Sequence, residues 1–232
     1  MTDMIRVWDL PLRLFHWLLA LAVTAALVTG WLGGNLIVWH GRLGLLILGL
    51  LVFRLAWGVL GSTYARWSRI CLAPFSVLGY LRGQWSEPGH NPLGSLSVLG
   101  LLGLLALQVG TGLVANDDIA FQGPLYALVS GATSNELTGL HRQAKWLLIA
   151  LIALHLSAIL FYRLAKGRDL VRPMISGSMP RESAAQREAA GGAWWAVALS
   201  LALAVGAVWA VREAAGWVAP PAPPPAPATL GW

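Results

Sequence analysis

The chain has 232 residues, of which 57% are hydrophobic and only 11% are charged. A mean hydropathy of +0.65 is far above that of a soluble domain and excludes a water-soluble globular enzyme. The formal charge of +6 does not indicate nucleic-acid binding, because in so apolar a chain the cations flank membrane segments. We therefore expect an integral membrane protein that contacts the lipid bilayer and no nucleic acid.

Apolar runs long enough to cross a hydrocarbon core, which takes about 20 residues, recur along the chain. They predict five transmembrane helices, over residues 12–32, 36–60, 93–115, 136–164 and 193–211. Asp9 is the expected cap of the first helix, and Pro11 lies in its first turn. The first run is too long for the apolar region of a signal peptide, so we expect it to remain in the mature protein.

The predicted fold class is an all-α integral membrane protein, a four-helix transmembrane bundle with an additional C-terminal helix. The bundle occupies residues 1–177, followed by a cytoplasmic linker over 178–192 and the extra helix over 193–211. That helix carries no histidine or charge, so we expect it to serve as an anchor or packing element. Proline is concentrated in the remaining tail, residues 212–232, which should be extended and not a domain.

The distribution of cations predicts the orientation. Of the sixteen Lys and Arg residues, four fall on the side where the second helix begins, namely Arg42, Arg142, Lys145 and Arg212. The other twelve fall on the side of the N-terminus. The positive-inside rule therefore predicts a cytoplasmic N-terminus and, after five crossings, a periplasmic C-terminus in the bacterial inner membrane.

Four of the five histidines fall on predicted helices, in two pairs at two depths. His141 and His155 are fourteen residues apart, which places them on one helix face about 21 Å apart along the axis. His16 lies near the cytoplasmic end of the first helix and His40 near the outer end of the second. The prediction is an inner pair of His16 with His155 and an outer pair of His40 with His141.

An imidazole in lipid is costly unless it is hydrogen-bonded, paired or bound to a metal. Two imidazoles across an iron porphyrin make a six-coordinate haem, which suits electron transfer because no open position remains. Zinc or copper pairs usually require further ligands at the same level, and the helix interiors offer none. We therefore expect two haem b groups with bis-histidine ligation; four unrelated polar histidines are the alternative.

Three further residues are candidates for contacting the haems. Gly30 lies fourteen residues after His16 and should leave room for the outer haem, although ordinary helix packing explains a glycine equally well. Arg54, fourteen residues after His40, should face the inner haem and pair with a propionate; the alternative is that it reaches out to the lipid headgroups. Arg142 is next to His141, at the outer level.

Several segments resemble the bacterial cytochrome b561 family, which includes the b-type cytochrome subunits of membrane nickel-iron hydrogenases. They are IRVWDLPLRLFHW, HGRLGLLILGLLVFRLAWGVLGS, GHNPLG, DDIAFQGPL and LHRQAKWLLIALIALHLSAILFYRLAKGRDLVRPMISG. The resemblance covers Ile5 to about Gly177 and leaves out the fifth helix and the tail. It implies a four-helix bundle with two b-type haems, and it implies that the four histidines are the axial ligands.

The resemblance also implies a function, the exchange of electrons between a redox partner and the quinone pool. We expect transmembrane electron transfer between quinone and a periplasmic partner, which is a c-type cytochrome, a hydrogenase-like enzyme or a small oxidant or reductant. Quinone oxidoreductase activity and the oligomeric state stay open. The alternatives are a haem-bearing membrane anchor of a larger respiratory enzyme and a histidine-based metal or proton transporter.

Two loops contain residues for which the sequence indicates a functional role less specifically. His90 precedes Pro92 in a cytoplasmic loop, where a capping or surface role is favoured over a place near a quinone site. Asp117 and Asp118 lie in an outer loop and could attract a cationic partner such as a c-type cytochrome, although a solvated acidic loop is the default.

Overall fold

A computed structural model describes residues 3–85, 87–119, 121–181 and 183–218 of the chain. Its long helices are α1 (Leu10–Leu32), α2 (Ile37–Leu60), α3 (Pro92–Gly112), α4 (Gly131–Ala165) and α5 (Trp194–Val218). Each of the five contains a segment long and apolar enough to cross a membrane. The predicted all-α membrane fold, a bundle with an additional C-terminal helix, is therefore confirmed.

Three of the long helices begin at side-chain caps that satisfy a free backbone amide. The Asp9 carboxylate accepts a hydrogen bond from the Leu12 amide at 2.7 Å, with Pro11 in the first turn of α1, as predicted. The Asn91 side chain accepts from the Gly94 amide, also at 2.7 Å, and begins α3.

The bounds of two helices differ from the prediction by five residues or more, and those of the other three differ by one to three residues at an end. The Ser130 hydroxyl accepts from the Thr133 amide, so α4 begins five residues before residue 136. At the other end of the chain α5 continues to Val218, beyond the predicted end at residue 211. The tail from residue 219 onward lies outside the described residues.

The helices pack in a defined order: α1 against α2, α2 against α3, and α3 against α4, with α5 along α2. The four bundle helices share one buried apolar cluster, which we call the central core. Its buried members are Ala22, Val23, Ala26, Ile47, Leu51, Leu104, Leu105, Val109, Ala144 and Leu148. The extra helix is therefore a packing element of α2, outside the shared core.

A small sheet closes the end of the bundle where α1 begins. Strand β1 (Met4–Arg6) pairs antiparallel with β2 (Ser178–Pro180). The Ala189 amide donates to the Arg6 carbonyl at 2.8 Å, and Gln186 is buried. The predicted linker over 178–192 is thus docked against the N-terminal segment.

Short helical turns connect the long helices. They are Gly34–Leu36, Thr63–Ala65, Trp67–Leu72, Ala73–Ser76, Val77–Leu81, Tyr126–Leu128 and Val171–Ser176. Residues 67–81, which we call the interfacial segment, leave Leu72, Phe75, Leu78 and Leu81 exposed. Short helices with exposed apolar side chains next to a membrane bundle are typical of segments that lie in the membrane interface.

Candidate functional site

The His40 ring on α2 and the His141 ring on α4 have perpendicular planes, at 89°, and their centroids are 5.9 Å apart. A metal–imidazole bond of about 2.0–2.1 Å on each side of one ion would put the ring centroids about 6 Å apart. The pair therefore has a separation that a single metal between the two rings requires.

Backbone carbonyls from the two other helices orient these rings. His40 Nδ1 lies 2.8 Å from the Ala26 carbonyl oxygen on α1, and His141 Nδ1 lies 2.9 Å from that of Gln108 on α3. Because a carbonyl oxygen only accepts, each Nδ1 must donate, and the lone pair of Nε2 is free to bind a metal. This arrangement is the usual support of a metal-binding histidine.

Two glycines leave room for the same rings. A Cβ on Gly30 would lie 2.8 Å from His40 Nδ1, and a Cβ on Gly112 would lie 3.1 Å from His141 Cε1. The first distance is shorter than carbon–nitrogen packing allows. The backbone of α1 thus meets the His40 ring at a position where only glycine fits.

The second pair lies toward the other end of the bundle. His16 on α1 and His155 on α4 are close enough for their charges to interact. His155 Nδ1 lies 3.4 Å from the Ser97 hydroxyl, whereas His16 Nδ1 is buried without a hydrogen-bond partner among the described residues. A buried ring nitrogen without a partner costs about 1–3 kcal/mol. Within the described residues, His16 therefore lacks the backbone acceptor that orients His40 and His141.

The two pairs form separate sites, which we call the His40 level (His40 and His141) and the His16 level (His16 and His155). On α4, Ala144 and Leu148 of the central core lie between them. Helix α4 packs closely against α3, and within the described ranges the other long helices contact it sparsely. No three His, Cys, Asp or Glu side chains in the described part of the chain form a metal cluster, so each level offers two imidazoles.

Arg54 is buried, with 2% of its surface exposed. Its guanidinium carbon lies 4.3 Å from the centroid of the Trp67 ring, and its Nη1 has no hydrogen-bond partner among the described residues. The alternative, that Arg54 reaches out to the lipid headgroups, is therefore wrong, because the side chain is buried and the Trp67 ring covers it. A buried guanidinium nitrogen without an acceptor is suited to a carboxylate brought by a ligand.

The His90 ring lies where the charges of Arg54 and of the second histidine pair, His16 and His155, both act on it. Its ring centroid lies 4.6 Å from that of Trp8, and its Nδ1 is buried. Burial, followed by positive charge on Arg54, His16 and His155, lowers the pKa of His90 to about 4. The predicted capping role is wrong, because the next residue, Asn91, caps α3, and the His90 ring is half-buried against Trp8.

At the His40 level, Arg142 is exposed, whereas Lys145 is half-buried. The Lys145 ammonium lies 5.3 Å from the Trp31 ring centroid and 5.0 Å from that of Trp146. The two indoles meet edge to face at 5.7 Å, which joins α1 to α4 beside the histidine pair. Sequence reasoning missed Lys145, although its position one turn after His141 was a usable signal.

The acidic loop next to the His40 level is held by its own side chains. The Asp117 carboxylate accepts from the backbone amides of Ile119 and Phe121, and Asp118 has a left-handed φ of 59°. The Phe121 ring lies so close to Gly41 that a Cβ there would be 2.8 Å from it. The loop thus covers α2 next to His40.

Comparison with known proteins identifies the protein family of the segment that contains both histidine pairs. The family described as Prokaryotic cytochrome b561 matches residues 7–177, a span that contains both pairs. The chain belongs to this family. It is a multi-pass membrane protein of the b-type cytochrome class, which binds b-type haem and serves electron transfer.

Two curated relatives match the chain at low identity. Each is named as a probable Ni/Fe-hydrogenase 1 B-type cytochrome subunit, one from Escherichia coli strain K12 and one from Escherichia coli O157:H7. Both are 21% identical over 210 residues, which cover 74% of this chain and 88% of the relative. No solved structure matches the chain. Helix α5 lies beyond the family match.

Proposed function

We propose that the cytochrome binds two haem b groups, one at each histidine level, and conducts electrons across the bacterial inner membrane. The observation that carries this proposal is the pair His40 and His141, whose rings lie 5.9 Å apart with both Nδ1 atoms donating to backbone carbonyls. His16 and His155 are the ligands at the second level. When bound, haem supplies a centre that gains and loses one electron.

The protein's own residues fix the ligands and the charge around them. The carbonyls of Ala26 and Gln108 hold two imidazoles in the tautomer that leaves Nε2 unprotonated. Arg54 offers its unpartnered Nη1 to a propionate at the His16 level. Lys145 and Arg142 place positive charge at the His40 level. Two histidines per iron leave no open coordination position, so the sites suit electron transfer and not substrate activation.

The orientation follows the cations: the N-terminus is cytoplasmic and the C-terminus periplasmic. The His16 level then faces the cytoplasm and the His40 level the periplasm. A reporter fused after Trp232 should be active as alkaline phosphatase and dark as a cytoplasmic fluorescent protein. The reverse result would invert the topology.

Each of the two histidine levels is assigned one redox partner. Quinone, which is lipid-soluble, exchanges electrons at one level, and a periplasmic redox protein exchanges them at the other. The curated relatives are named as hydrogenase subunits, which favours a hydrogenase-type enzyme as that partner over a c-type cytochrome. A haem-bearing anchor of a larger respiratory enzyme is the second candidate, because the same name describes a subunit.

An experiment in lipid vesicles distinguishes electron transfer across the membrane from the role of a haem-bearing anchor. The cytochrome is reconstituted into liposomes that enclose ferricyanide, and a membrane-impermeant reductant is added outside. We expect ferricyanide to be reduced by the chain alone, and His40→Ala and His155→Ala each to abolish the reaction because both levels are needed. Ferricyanide loss no faster than in protein-free liposomes would contradict electron transfer across the membrane and would favour the second candidate, a haem-bearing membrane anchor.

A further inference from the structure

A groove of about 1160 Å³ runs along the outside of the bundle and is lined by α1, α2 and α5. Helices α1 and α5 both pack on α2, and within the described ranges they contact each other sparsely, so they form the two walls of the groove. One wall, α5, lies outside residues 7–177, the span that matches the family. We propose that the groove binds one molecule of an anionic phospholipid, phosphatidylglycerol, with its acyl chains along the groove and its phosphate on Arg42 and Arg212.

Most of the groove is lined by apolar side chains. Phe15, Phe53 and Ala204 are buried at its base, whereas Leu14 on α1 and Val205 on α5 are exposed on its walls. The part of α5 that lines the groove, residues 197–213, is about 24 Å long, whereas one leaflet occupies about half of a 30 Å hydrocarbon core. The groove is therefore long enough for acyl chains that extend from one membrane surface past the middle of the bilayer.

The three charged residues of the lining lie at one end of the groove. Arg42 is near the start of α2, and Arg212 and Glu213 are near the end of α5. The two helices run in opposite directions, so these ends lie together, on the side of the bundle that carries the His40 level. None of the three groups forms an ion pair with another described residue. Two guanidinium groups and one carboxylate give a net charge of +1, which one phosphodiester would neutralise.

Each of the two arginines follows a tryptophan by three residues, which makes the two side chains neighbours on one helix face. Trp39 precedes Arg42, whose guanidinium carbon lies 4.7 Å from the Trp39 ring centroid, and Trp209 precedes Arg212. Both indoles are exposed, and tryptophan is enriched at the depth of the lipid head groups. The two guanidinium groups therefore lie at the depth of a phospholipid phosphate.

The net charge favours phosphatidylglycerol over the zwitterionic phospholipids. Phosphatidylethanolamine and phosphatidylcholine each carry an ammonium group beside the phosphate, so either would leave this end of the groove with a charge of +1. Phosphatidylglycerol carries the phosphate alone and would make the end neutral. The hydroxyls of its glycerol head group can donate to the Glu213 carboxylate, which offsets the repulsion between that carboxylate and the phosphate.

The test is native mass spectrometry of the full-length, haem-loaded cytochrome, delipidated in detergent and titrated with phosphatidylglycerol or with phosphatidylcholine of the same acyl chains. We expect each chain to retain one phosphatidylglycerol at concentrations that leave phosphatidylcholine unbound. Arg42→Gln and Arg212→Gln should each weaken phosphatidylglycerol binding about fivefold, the contribution of one cation near an anionic lipid surface. Arg82→Gln, at an exposed arginine outside the groove, is the matched control and should have no effect. Equal retention of the two lipids, or wild-type affinity in both groove variants, would overturn the proposal.

A second pair of variants tests the groove itself. Val205→Trp places an indole on the exposed wall of the groove, and Leu203→Trp makes a similar change at an exposed position of α5 outside the lining. We expect Val205→Trp to lose the bound phosphatidylglycerol with an unchanged haem content, and Leu203→Trp to bind it as the wild type does. Wild-type binding in Val205→Trp would overturn the groove as the site. A mass of two chains that Val205→Trp halves and added phosphatidylglycerol does not change would show that a second copy occupies the groove, which would overturn the lipid.

Discussion

A Cβ on Gly30 would lie 2.8 Å from Nδ1 of His40, the nitrogen that donates to the Ala26 carbonyl. Gly30 and Ala26 are one turn apart on α1, so the same stretch of helix both orients the imidazole and makes room for it. The backbone of α1 is therefore part of the His40 level, although the histidines of that level belong to α2 and α4.

Gly30→Ala should displace the His40 ring and break its bond to Ala26, so that the haem at the His40 level is lost or becomes high-spin. The redox-difference spectrum of the purified variant checks this. Gly44→Ala and Gly103→Ala are matched controls, because a Cβ at either position meets nothing within 4 Å. Equal spectra for Gly30→Ala and the two controls would show that the close approach has no role in haem binding.

The pairing of ligands predicts which substitutions share an effect. His16→Ala and His155→Ala should remove the same spectral component, and His40→Ala and His141→Ala should remove the other. The physical reason is that the central core separates the two levels. Reduced spectra of the four variants at low temperature check the grouping. Loss of one common component in His16→Ala and His40→Ala would refute it.

Arg54→Gln should lower the midpoint potential of the haem at the His16 level only. A nearby cation favours the reduced haem, which carries one positive charge less at iron, and Arg54 is buried where screening is weak. The expected shift is tens of millivolts, since about 59 mV is a tenfold change in a one-electron equilibrium. A redox titration that resolves both haems measures it. Arg42→Gln, an exposed arginine stacked on Trp39 at the opposite end of α2, is the control.

Asn91 joins the start of α3 to the end of α4, so its removal should destabilise the bundle. Its Oδ1 accepts from the Gly94 amide at 2.7 Å, and its Nδ2 donates to the Tyr162 hydroxyl at 3.0 Å. Asn91→Ala should cost about 1–2 kcal/mol, typical of a lost cap, and lower the thermal midpoint of haem release. Asn91→Asp keeps the cap and loses the donor, so it should fall between the wild type and Asn91→Ala. An Asp variant as unstable as the Ala variant would mean that the cap contributes little.

Much of this architecture is predictable from sequence, because helix geometry is fixed. The fourteen-residue spacing of His141 and His155 defines two depths, and the lengths of the apolar runs define the spans. What spacing does not reveal is which backbone meets which side chain across two helices. The carbonyls of Ala26 and Gln108, and the Trp67 ring over Arg54, are of that kind.

The start of α4 shows a second limit of structure prediction from the sequence. Its first turns are polar and were expected to form a loop, yet Ser134 is fully buried and donates to the Val114 carbonyl at 2.7 Å. Asn116 in turn donates to the Ser134 hydroxyl at 2.7 Å. Polar residues whose hydrogen bonds are formed inside a bundle have the same low hydropathy as loop residues. A hydropathy pattern cannot distinguish the two, because it does not show the hydrogen-bond partners.

The number of haems per chain tests the central claim most directly. The purified cytochrome is assayed for haem b by its pyridine haemochrome and for protein by amino-acid analysis, and its dithionite-reduced spectrum is recorded. The account predicts about two haems b per chain and two α-band components, because each histidine level supplies two axial ligands to one iron. A ratio near one, or a reduced spectrum with a single component that survives the loss of either histidine pair, would contradict it.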